Sequence, residues 1–263
     1  MGPSLPLDHV VVVVASLESV TRLFRDAGFT VTPGGRHDAL RTENALIGFA
    51  DGSYLELLAT QEPSDRDELR ALAKDVAEWE RHLRGVSAIA RRFLPSLARP
   101  DGVADWCLCA ARLEPLAARL RSEGCPAAGP VPMGRKRRDG EKLAWELLLP
   151  ESRVHPFWIR DETPRDRRVP GSPEAIHHEN GSRGIRSVRL CATDLGLSAL
   201  ALGSRLGRMP QARPDGSSIL AMGEWQVELV AGEPEGACGA ALAGCASLPD
   251  GIRALGIQPA TGV

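Results

Sequence analysis

A histidine and a glutamate in two apolar segments are the residues whose types and surroundings point most directly to chemistry. His9 lies in a valine-rich segment, and Glu56 is flanked by Leu55 and Leu57. A carboxylate in an apolar strand is costly to bury unless it is paired or ligates a cation. If the two strands are neighbours with their polar faces on one side, an imidazole and a carboxylate form half of a divalent-metal site suited to Zn, Ni, Mn, Co or Fe. The alternatives are a hydrogen-bonded core histidine and a hydrogen-bonded carboxylate at the rim.

His37 is a second histidine with a candidate role in catalysis. It follows Gly34 and Gly35, whose flexibility would hold their loop at the mouth of a cleft. It is a candidate third ligand, general base or contact to a substrate carboxylate, and a turn histidine bonded to the backbone is the alternative. Asn44 would contact the substrate or fasten this loop. Tyr54, the single tyrosine, would line the cleft or fill the core.

These residues fall in a run of predicted elements in the order β-α-β-β-β. Valine enrichment predicts a buried strand over 7–15, and Ser16 is placed to cap a short helix whose apolar stripe ends at Gly28. Turn signals at Pro33-Gly34-Gly35 and Asp51-Gly52 separate three further predicted strands. These strands cover 29–32, 44–49 and 54–58.

The same order recurs twice along the chain, which makes internal repetition the main organisational feature. A helical segment at about 62–96 precedes the second copy, and we interpret it as an insertion with a solvated charged face. The second copy spans 106–160, and its basic turn, at 135–140, is a solvated hairpin tip or an anion contact near the cleft. The third copy spans 185–230. The Gly/Ala-rich tail at 233–250 is expected to be irregular.

We therefore predict an α+β fold in which repeated β-α-β-β-β modules form open curved barrels of mixed sheet, with a helical insertion. Residues 1–182 would form a domain of two modules. Residues 183–263 would form a third module and a tail, which ends with a short strand at 252–257.

Composition and charge exclude several classes of function. The 263 residues carry a formal net charge of −2, so no basic excess supports a nucleic-acid partner. No apolar run is long enough to span a bilayer, and the first residues lack a secretory signal pattern. The six cysteines lack a metal-binding or CxxC spacing, and we expect free thiols in a reducing cytoplasm. No GxSxG, P-loop or GxGxxG motif supports a serine hydrolase or a nucleotide-dependent enzyme.

Two segments of the first module carry a family resemblance. LDHVVVVVASLESVTRLFRDAGFTVTPGGRH and NALIGFADGSYLELLA resemble the glyoxalase-like branch of the vicinal oxygen chelate superfamily, and the GGRH turn joined to YLEL is the more specific feature. The resemblance extends to about residue 183 and, more loosely, over 184–232. It implies paired modules that curl into an open barrel whose concave face holds a metal and a chelating substrate. On that pattern His9 is the first-strand ligand and Glu56 the fourth-strand ligand.

The sequence departs from this pattern in its second pair of ligands. The corresponding positions of the second module fall near Asp105 or Trp106 and near Phe157 or Ile159, and those of the third module are Ser187 and Glu228. Pairing the first module with the third would bring Glu228 to His9 and Glu56, whereas pairing it with the second would not. Both pairings remain open. An odd number of modules leaves one curved sheet unpartnered, so we expect a homodimer that buries it.

Two functions are compatible with these features. An enzyme would use a divalent ion at His9 and Glu56 to bind a small oxygen-chelating substrate and stabilise an enolate or oxyanion, while His37 or Glu228 moves the proton. Isomerase, lyase and dioxygenase reactions all fit this scheme. The alternative is a metal-free cup with Trp106 among its walls that sequesters a small molecule, as antibiotic-resistance proteins of the superfamily do. The missing second ligand pair favours this binder.

Overall fold

The first predicted repeat is present and supplies four neighbouring strands of one sheet. In the computed structural model, which describes residues 5–37, 40–136 and 140–260, its elements are β1 (Leu7–Val13), α1 (Leu17–Asp26), β2 (Thr32–His37), β3 (Thr42–Gly48) and β4 (Tyr54–Thr60). Ser16 caps α1 as expected, because its side chain accepts a hydrogen bond from the Ser19 amide. Strand β4 lies parallel beside β1. The strands that carry His9 and Glu56 are therefore neighbours.

Strand β2 differs from its prediction, because it continues through the expected turn. Pro33, Gly34 and Gly35 lie inside the strand, and its register against β3 shifts between Pro33 and Arg36. Strand β2 is an edge of its sheet. Proline and glycine are tolerated in edge strands and at bulges, which is why a strong turn signal here does not end the strand.

The helical insertion is present, but the prediction that its charges are solvated is wrong for two arginines. It forms α2 (Pro63–Leu72), α3 (Val76–Gly85) and α4 (Ala88–Leu97). Helix α4 packs into the curl of the sheet through Ile89, Phe93 and Leu97. Arg66 and Arg92 are buried because each has acceptors inside the protein, main-chain oxygens among them.

The second repeat extends the same sheet to eight strands. Its elements are β5 (Gly102–Cys109), α5 (Leu113–Ser122), β6 (Ala127–Lys136), β7 (Lys142–Pro150) and β8 (Phe157–Asp161). The strand order is β2-β3-β4-β1-β5-β8-β7-β6, with β1 antiparallel to β5 at the centre. The edge strands β2 and β6 contact each other, so the sheet curls around an interior. The first module thus shares its sheet with the second, and residues 137–139 of the predicted basic turn lie outside the described residues.

A second curled sheet follows the linker, which contains the short helix α6 (Arg165–Arg168). The third repeat forms β9 (Gly184–Ala192), α7 (Leu195–Leu206), β10 (Gln211–Ala212), β11 (Ser218–Ala221) and β12 (Gln226–Ala231). His178 fastens the linker to the first sheet: its Nδ1 accepts a hydrogen bond from the Thr30 amide at 3.0 Å, and its Nε2 donates to the Gly48 carbonyl at 2.9 Å.

The tail expected to be irregular instead completes this second sheet. It forms β13 (Gly236–Ala243), α8 (Asp250–Ala254) and β14 (Ile257–Pro259). Strand β13 pairs with β9 as β5 pairs with β1, and β14 pairs with β13 as β8 pairs with β5. The tail is therefore a shortened fourth repeat, and the third repeat is not left unpartnered. Small residues permit the close approach of its backbone: a Cβ on Gly239 would lie 3.1 Å from the Gly256 oxygen.

The α+β class and the curled mixed sheets are confirmed by this architecture. The inner face of the first sheet packs on α4, and its outer face packs on α1 and α5. The outer cluster continues into the second sheet through Val188, Leu190 and Val227, so the two sheets share one core. Within the described ranges, no helix has both the length and the apolar character needed to cross a bilayer.

Candidate metal and substrate site

His9 and Glu56 meet inside the curl of the first sheet. In the parallel pairing of β1 with β4, Val11 is opposite Glu56, so His9 and Glu56 lie on the same face of neighbouring strands. His9 Nε2 is 3.3 Å from Glu56 Oε2, and the two side chains are 4% and 14% exposed. The structure thus brings together the two residues that the sequence singled out as metal ligands.

The second nitrogen of His9 is held by the preceding residue. His9 Nδ1 is 2.7 Å from Asp8 Oδ2, and a register shift in β1 between Leu7 and His9 lets these consecutive side chains meet. Arg165 and Arg168 contact the other oxygen of Asp8, at 3.0 and 3.1 Å. Burial opposes ionisation of Asp8, but its hydrogen bond with His9 and the charge of Arg168 outweigh burial and hold its pKa well below the usual range.

Arg168 connects the linker to the site, and no motif in the sequence predicted this role. Its guanidinium donates to Asp8, to Asp161 and, at 2.7 Å, to the Tyr54 hydroxyl. The Tyr54 ring stacks on His9 with centroids 4.6 Å apart. Burial raises the pKa of Tyr54 well above its usual value. Tyr54 therefore lines the site as an uncharged side chain.

Asn44 links Glu56 to the segment that carries His37. Asn44 Nδ2 donates to Glu56 Oε1 at 2.6 Å, and its Oδ1 accepts from the Gly35 amide at 2.8 Å. A Cβ on Gly34 would overlap the Asn44 side chain, so glycine is required there. His37 lines the same pocket, with Nδ1 3.2 Å from Thr42 Oγ1.

The pocket around these groups is polar at one end and apolar elsewhere. His9, Glu56, Asn44 and Arg135 contribute polar atoms to a cavity of about 80 Å³. Its apolar walls come from both repeats and from α4, and include Leu58, Phe93, Met133, Trp145, Leu147 and Phe157. Such a space suits a small molecule with one oxygen-rich end and an apolar body.

Trp106 and Glu228, two of the predicted site residues, lie outside this pocket. Trp106 is next to the inward-facing Cys107 in β5, so strand alternation turns it to the outer face, where it packs against Trp225 at 6.3 Å. Glu228 is in the second sheet and pairs with Arg189 at 2.8 Å. The first module shares its sheet with the second rather than the third, which separates Glu228 from His9.

Within its described residues, the second repeat contributes no matching pair of ligands. Asp105 is fully buried, and both of its oxygens accept hydrogen bonds from Arg92 at 2.8 Å. Phe157 begins β8 opposite Cys107, and its ring packs edge-on against His9 at 5.3 Å. The part of the first sheet's interior that would hold a second pair of metal ligands is thus filled by the ion pair of Asp105 with Arg92 and by the ring of Phe157.

The charges at the site favour an ionised Glu56. Burial opposes this, but the hydrogen bond and the positive charge of His9 outweigh it and lower the pKa of Glu56 to about 2. For His9, burial lowers the pKa, and hydrogen bonds to Asp8 and Glu56 outweigh burial and raise it. A cation at Nε2, whether a proton or a metal ion, is therefore stabilised.

The donor set fits a divalent ion held by two protein ligands. Two atoms bound to one ion at about 2.1 Å, with angles of about 90–110°, are roughly 3.0–3.4 Å apart, as His9 Nε2 and Glu56 Oε2 are. Asp8 and Cys107 also lie within 4.8 Å of His9. Asp8 is already bound by two arginines, and burial raises the pKa of the Cys107 thiol well above its usual range, so neither matches His9 and Glu56 as a ligand.

Comparisons with known proteins agree with this architecture. The chain is similar in structure to a hypothetical protein from Staphylococcus aureus, with a TM-score of 0.70 and 19% identity over 92% of this chain and 93% of that chain. It is also similar to the Mn(II)-bound glyoxalase from Novosphingobium aromaticivorans, with a TM-score of 0.54 and 12% identity over 96% and 69% of the two chains. A mutant of 4-hydroxymandelate synthase from Streptomyces coelicolor gives a TM-score of 0.54 and 12% identity over 92% and 71%. No curated protein matched the chain. At these identities the solved structures show a shared fold alone.

The family assignment comes from the sequence match. Residues 7–206 match the model of the glyoxalase-like domain. That segment runs from β1 to the end of α7 and contains both repeats of the first sheet together with the residues of the pocket. The chain therefore belongs to the glyoxalase-like domain family, within the vicinal oxygen chelate superfamily.

Proposed function

We propose that the protein is a divalent-metal-dependent enzyme that acts on a small oxygen-chelating substrate. The observation that carries this proposal is the 3.3 Å approach of His9 Nε2 and Glu56 Oε2 at the polar end of the pocket. Two protein ligands leave several coordination positions for substrate oxygens. A bound divalent ion would supply Lewis-acid stabilisation of negative charge on those oxygens.

The residues of the chain would divide the remaining tasks. Asp8 orients the His9 ring through Nδ1, and Asn44 fixes one oxygen of Glu56. The apolar walls exclude water from the substrate. His37 is the candidate for moving a proton, since its side chain lines the same pocket. Isomerase, lyase and dioxygenase reactions all fit this set of roles.

Metal analysis of protein purified without a histidine tag tests the proposal. Wild-type protein loaded with Mn²⁺ and desalted should retain about one ion per chain, and His9→Ala should retain none, because the imidazole is one of two protein ligands. His177→Ala is the matched control, since His177 is an exposed linker histidine. Full retention of metal by His9→Ala would end this proposal.

A metal-free binding protein is the second candidate. The pairing of Asp105 with Arg92 and the aromatic ring of Phe157 remove the second ligand pair, and they favour this reading. The wild-type measurement separates the two candidates. Protein that binds no divalent ion at micromolar concentrations would support sequestration of a small molecule in the same pocket.

We also propose that the protein is a homodimer that extends its second sheet. Within the described residues this sheet ends at β14 and lacks counterparts of β6 and β7, so its edge at β14 is unpaired. Pairing with a second copy would satisfy this edge. Sedimentation equilibrium should give twice the 28.2 kDa chain mass, and a monomer mass would contradict the proposal.

We propose a reducing compartment, such as the cytoplasm, as the place of action. All six cysteines are free. Free thiols that are buried or half-buried are typical of proteins in a reducing environment. Equal unfolding midpoints with and without a reductant would support this proposal, whereas a midpoint that the reductant lowers would contradict it.

A further inference from the structure

A cleft of about 430 Å³ lies where the first sheet meets the second. One wall is the segment that joins α4 to β5 and contains Arg99, and the other is formed by β13 and by the residues that end α8, Ala237 and Leu255 among them. The Val103 amide donates to the Leu255 carbonyl at 2.9 Å, so the two walls are joined. The cleft shares no lining residue with the pocket at the candidate metal site.

Arg99 lines this cleft as a half-buried cation with no ion-pair or hydrogen-bond partner for its guanidinium among the described residues. Asp101, which also lines the cleft, is already occupied, because it pairs with Arg66 at 2.8 Å and accepts a hydrogen bond from the Ala15 amide at 2.9 Å. Burial lowers the pKa of Arg99. The guanidinium is therefore partly removed from water without an opposite charge beside it, which is unfavourable.

A second arginine adds positive charge behind the same wall. Arg153 donates to Ser96 Oγ and, at 3.0 Å, to the Ala104 carbonyl, and both acceptors belong to residues that line the cleft. Its Nε is buried without a partner among the described residues. Burial lowers the pKa of Arg153 to about 10, and the positive charge of Arg99 adds to this shift. The two guanidiniums are therefore close enough to repel each other.

The charges and the walls of the cleft define the ligand that it fits. Asp105 attracts Arg153, but both oxygens of this carboxylate are bound by Arg92. The positive charges of Arg99 and Arg153 therefore remain in excess. A guanidinium presents paired N–H donors that match the two oxygens of a carboxylate. The other walls are mainly apolar and include Pro100, Val103, Pro234, Ala237, Ala254 and Leu255.

We propose that this cleft is a second binding site, and that it takes an organic monocarboxylate with a compact apolar body. Arg99 would bind the carboxylate, and the apolar walls between the two sheets would bury the body of the ligand. The charge of Arg99 would select such an anion over a neutral compound of the same shape. The site uses none of the residues of the candidate metal centre, so it goes beyond the proposed function.

Calorimetric titration with benzoate and its neutral counterpart benzamide, at constant ionic strength, tests the proposal. Wild-type protein should bind benzoate at least about 10-fold more tightly than benzamide, and Arg99→Gln should weaken benzoate binding by about 10- to 100-fold with benzamide binding unchanged. Because the described residues give the Arg99 guanidinium no partner, Arg99→Gln should unfold in urea at a midpoint no lower than that of the wild type. A loss of binding then reports on the cleft and not on the fold.

Two controls locate the site. Arg121→Gln removes an exposed arginine of α5 and should bind both probes as the wild type does. His9→Ala alters the candidate metal centre and should retain the benzoate binding that depends on Arg99. A loss of this binding in His9→Ala would place the carboxylate at the metal centre and overturn the proposal. Unchanged benzoate affinity in Arg99→Gln, equal affinities of the wild type for the two probes, or a wild type that binds no benzoate at millimolar concentrations would also overturn it.

Discussion

Asp8 holds the far nitrogen of the His9 ring, Nδ1, at 2.7 Å. A carboxylate on the far nitrogen of a ligating histidine fixes the ring and raises its basicity, and loss of such a partner lowers metal affinity by about 10- to 100-fold. We predict a loss of this size in Mn²⁺ affinity for Asp8→Asn, measured by calorimetric titration. Asp26→Asn, on the exposed side of α1, is the control and should bind Mn²⁺ as the wild type does. Equal affinities for Asp8→Asn and the wild type would contradict this role.

His155 makes the stability of the fold depend on pH. It is 5% exposed, and its Nε2 accepts a hydrogen bond from Arg205 at 2.8 Å. Burial, with the charge of Arg205, lowers its pKa to about 4. The unfolded chain, with a histidine pKa near 6.5, binds more protons between these values, so the stabilisation is present above pH 6.5 and is lost as pH falls towards 4.

We therefore predict that His155 accounts for about 2 kcal/mol of the stability lost between pH 7.5 and pH 5. Urea unfolding at the two pH values should show a drop for the wild type that exceeds the drop for His155→Gln by this amount. The exposed His177→Gln should behave as the wild type. Other titrating groups are common to all three proteins and cancel in the comparison. Equal drops for the wild type and His155→Gln would show that His155 is not the group responsible.

The sequence could predict a side chain's face only relative to its own strand. The period of two predicted which neighbours share a face with His9 and with Glu56 in each strand, and the structure meets the condition that the two faces coincide. The same period could not tell which face of β5 turns inward, so Trp106 was assigned to the wrong side. Arg168 reaches Asp8 across 160 positions of the sequence. No local pattern contains a contact of that range.

At the scale of elements, α4 shows how an insertion becomes part of a site. Its apolar period predicts a helix, whereas its position inside the curl depends on Arg92, whose guanidinium holds Asp105. Asp105 stands near the position where the superfamily pattern expects a second histidine ligand. The insertion therefore helps to fill the part of the interior where the second pair of ligands would lie.

The buried pair of Arg92 and Asp105 should be costly to break. We predict that Arg92→Met destabilises the protein by about 3–5 kcal/mol, because it leaves an uncompensated carboxylate in the core. The double variant with Asp105→Leu should recover most of this loss. Urea unfolding measures both, with the exposed neighbour Arg91→Met as the control. A single variant as stable as the wild type would mean that α4 does not depend on this pair.

Strand β13 illustrates why composition misled the prediction for the tail. Glycine and alanine are poor strand formers in isolation. Here small residues are required, since β13 is sandwiched between β9 and β14 and its backbone approaches Gly256 closely. The repeat order predicted three units, and it missed a shortened fourth that supplies the partner of the third repeat.

At the scale of the whole molecule, the outer face of the first sheet and the second sheet share one hydrophobic core. Leu190 of β9 is fully buried in the cluster that also contains Val10 and Trp106 of the first sheet. Of the five tryptophans, Trp225 alone comes from the repeats of the second sheet; Trp106 packs against it from β5, and the other three lie in the first sheet and its insertion. Tryptophan fluorescence therefore reports mainly on unfolding of the first sheet.

This distribution allows a test of whether the two sheets unfold together. Leu190→Ala removes buried methyl groups from the second sheet and should cost about 2–5 kcal/mol. Because the core is continuous, we predict that the urea midpoints from tryptophan fluorescence and from far-UV circular dichroism shift together by the same amount. Leu200→Ala, 60% exposed on α7, should leave both unchanged. If Leu190→Ala lowered the dichroism midpoint while the fluorescence midpoint stayed in place, the sheets would be independent folding units. The pocket around His9 would then owe none of its stability to the second sheet.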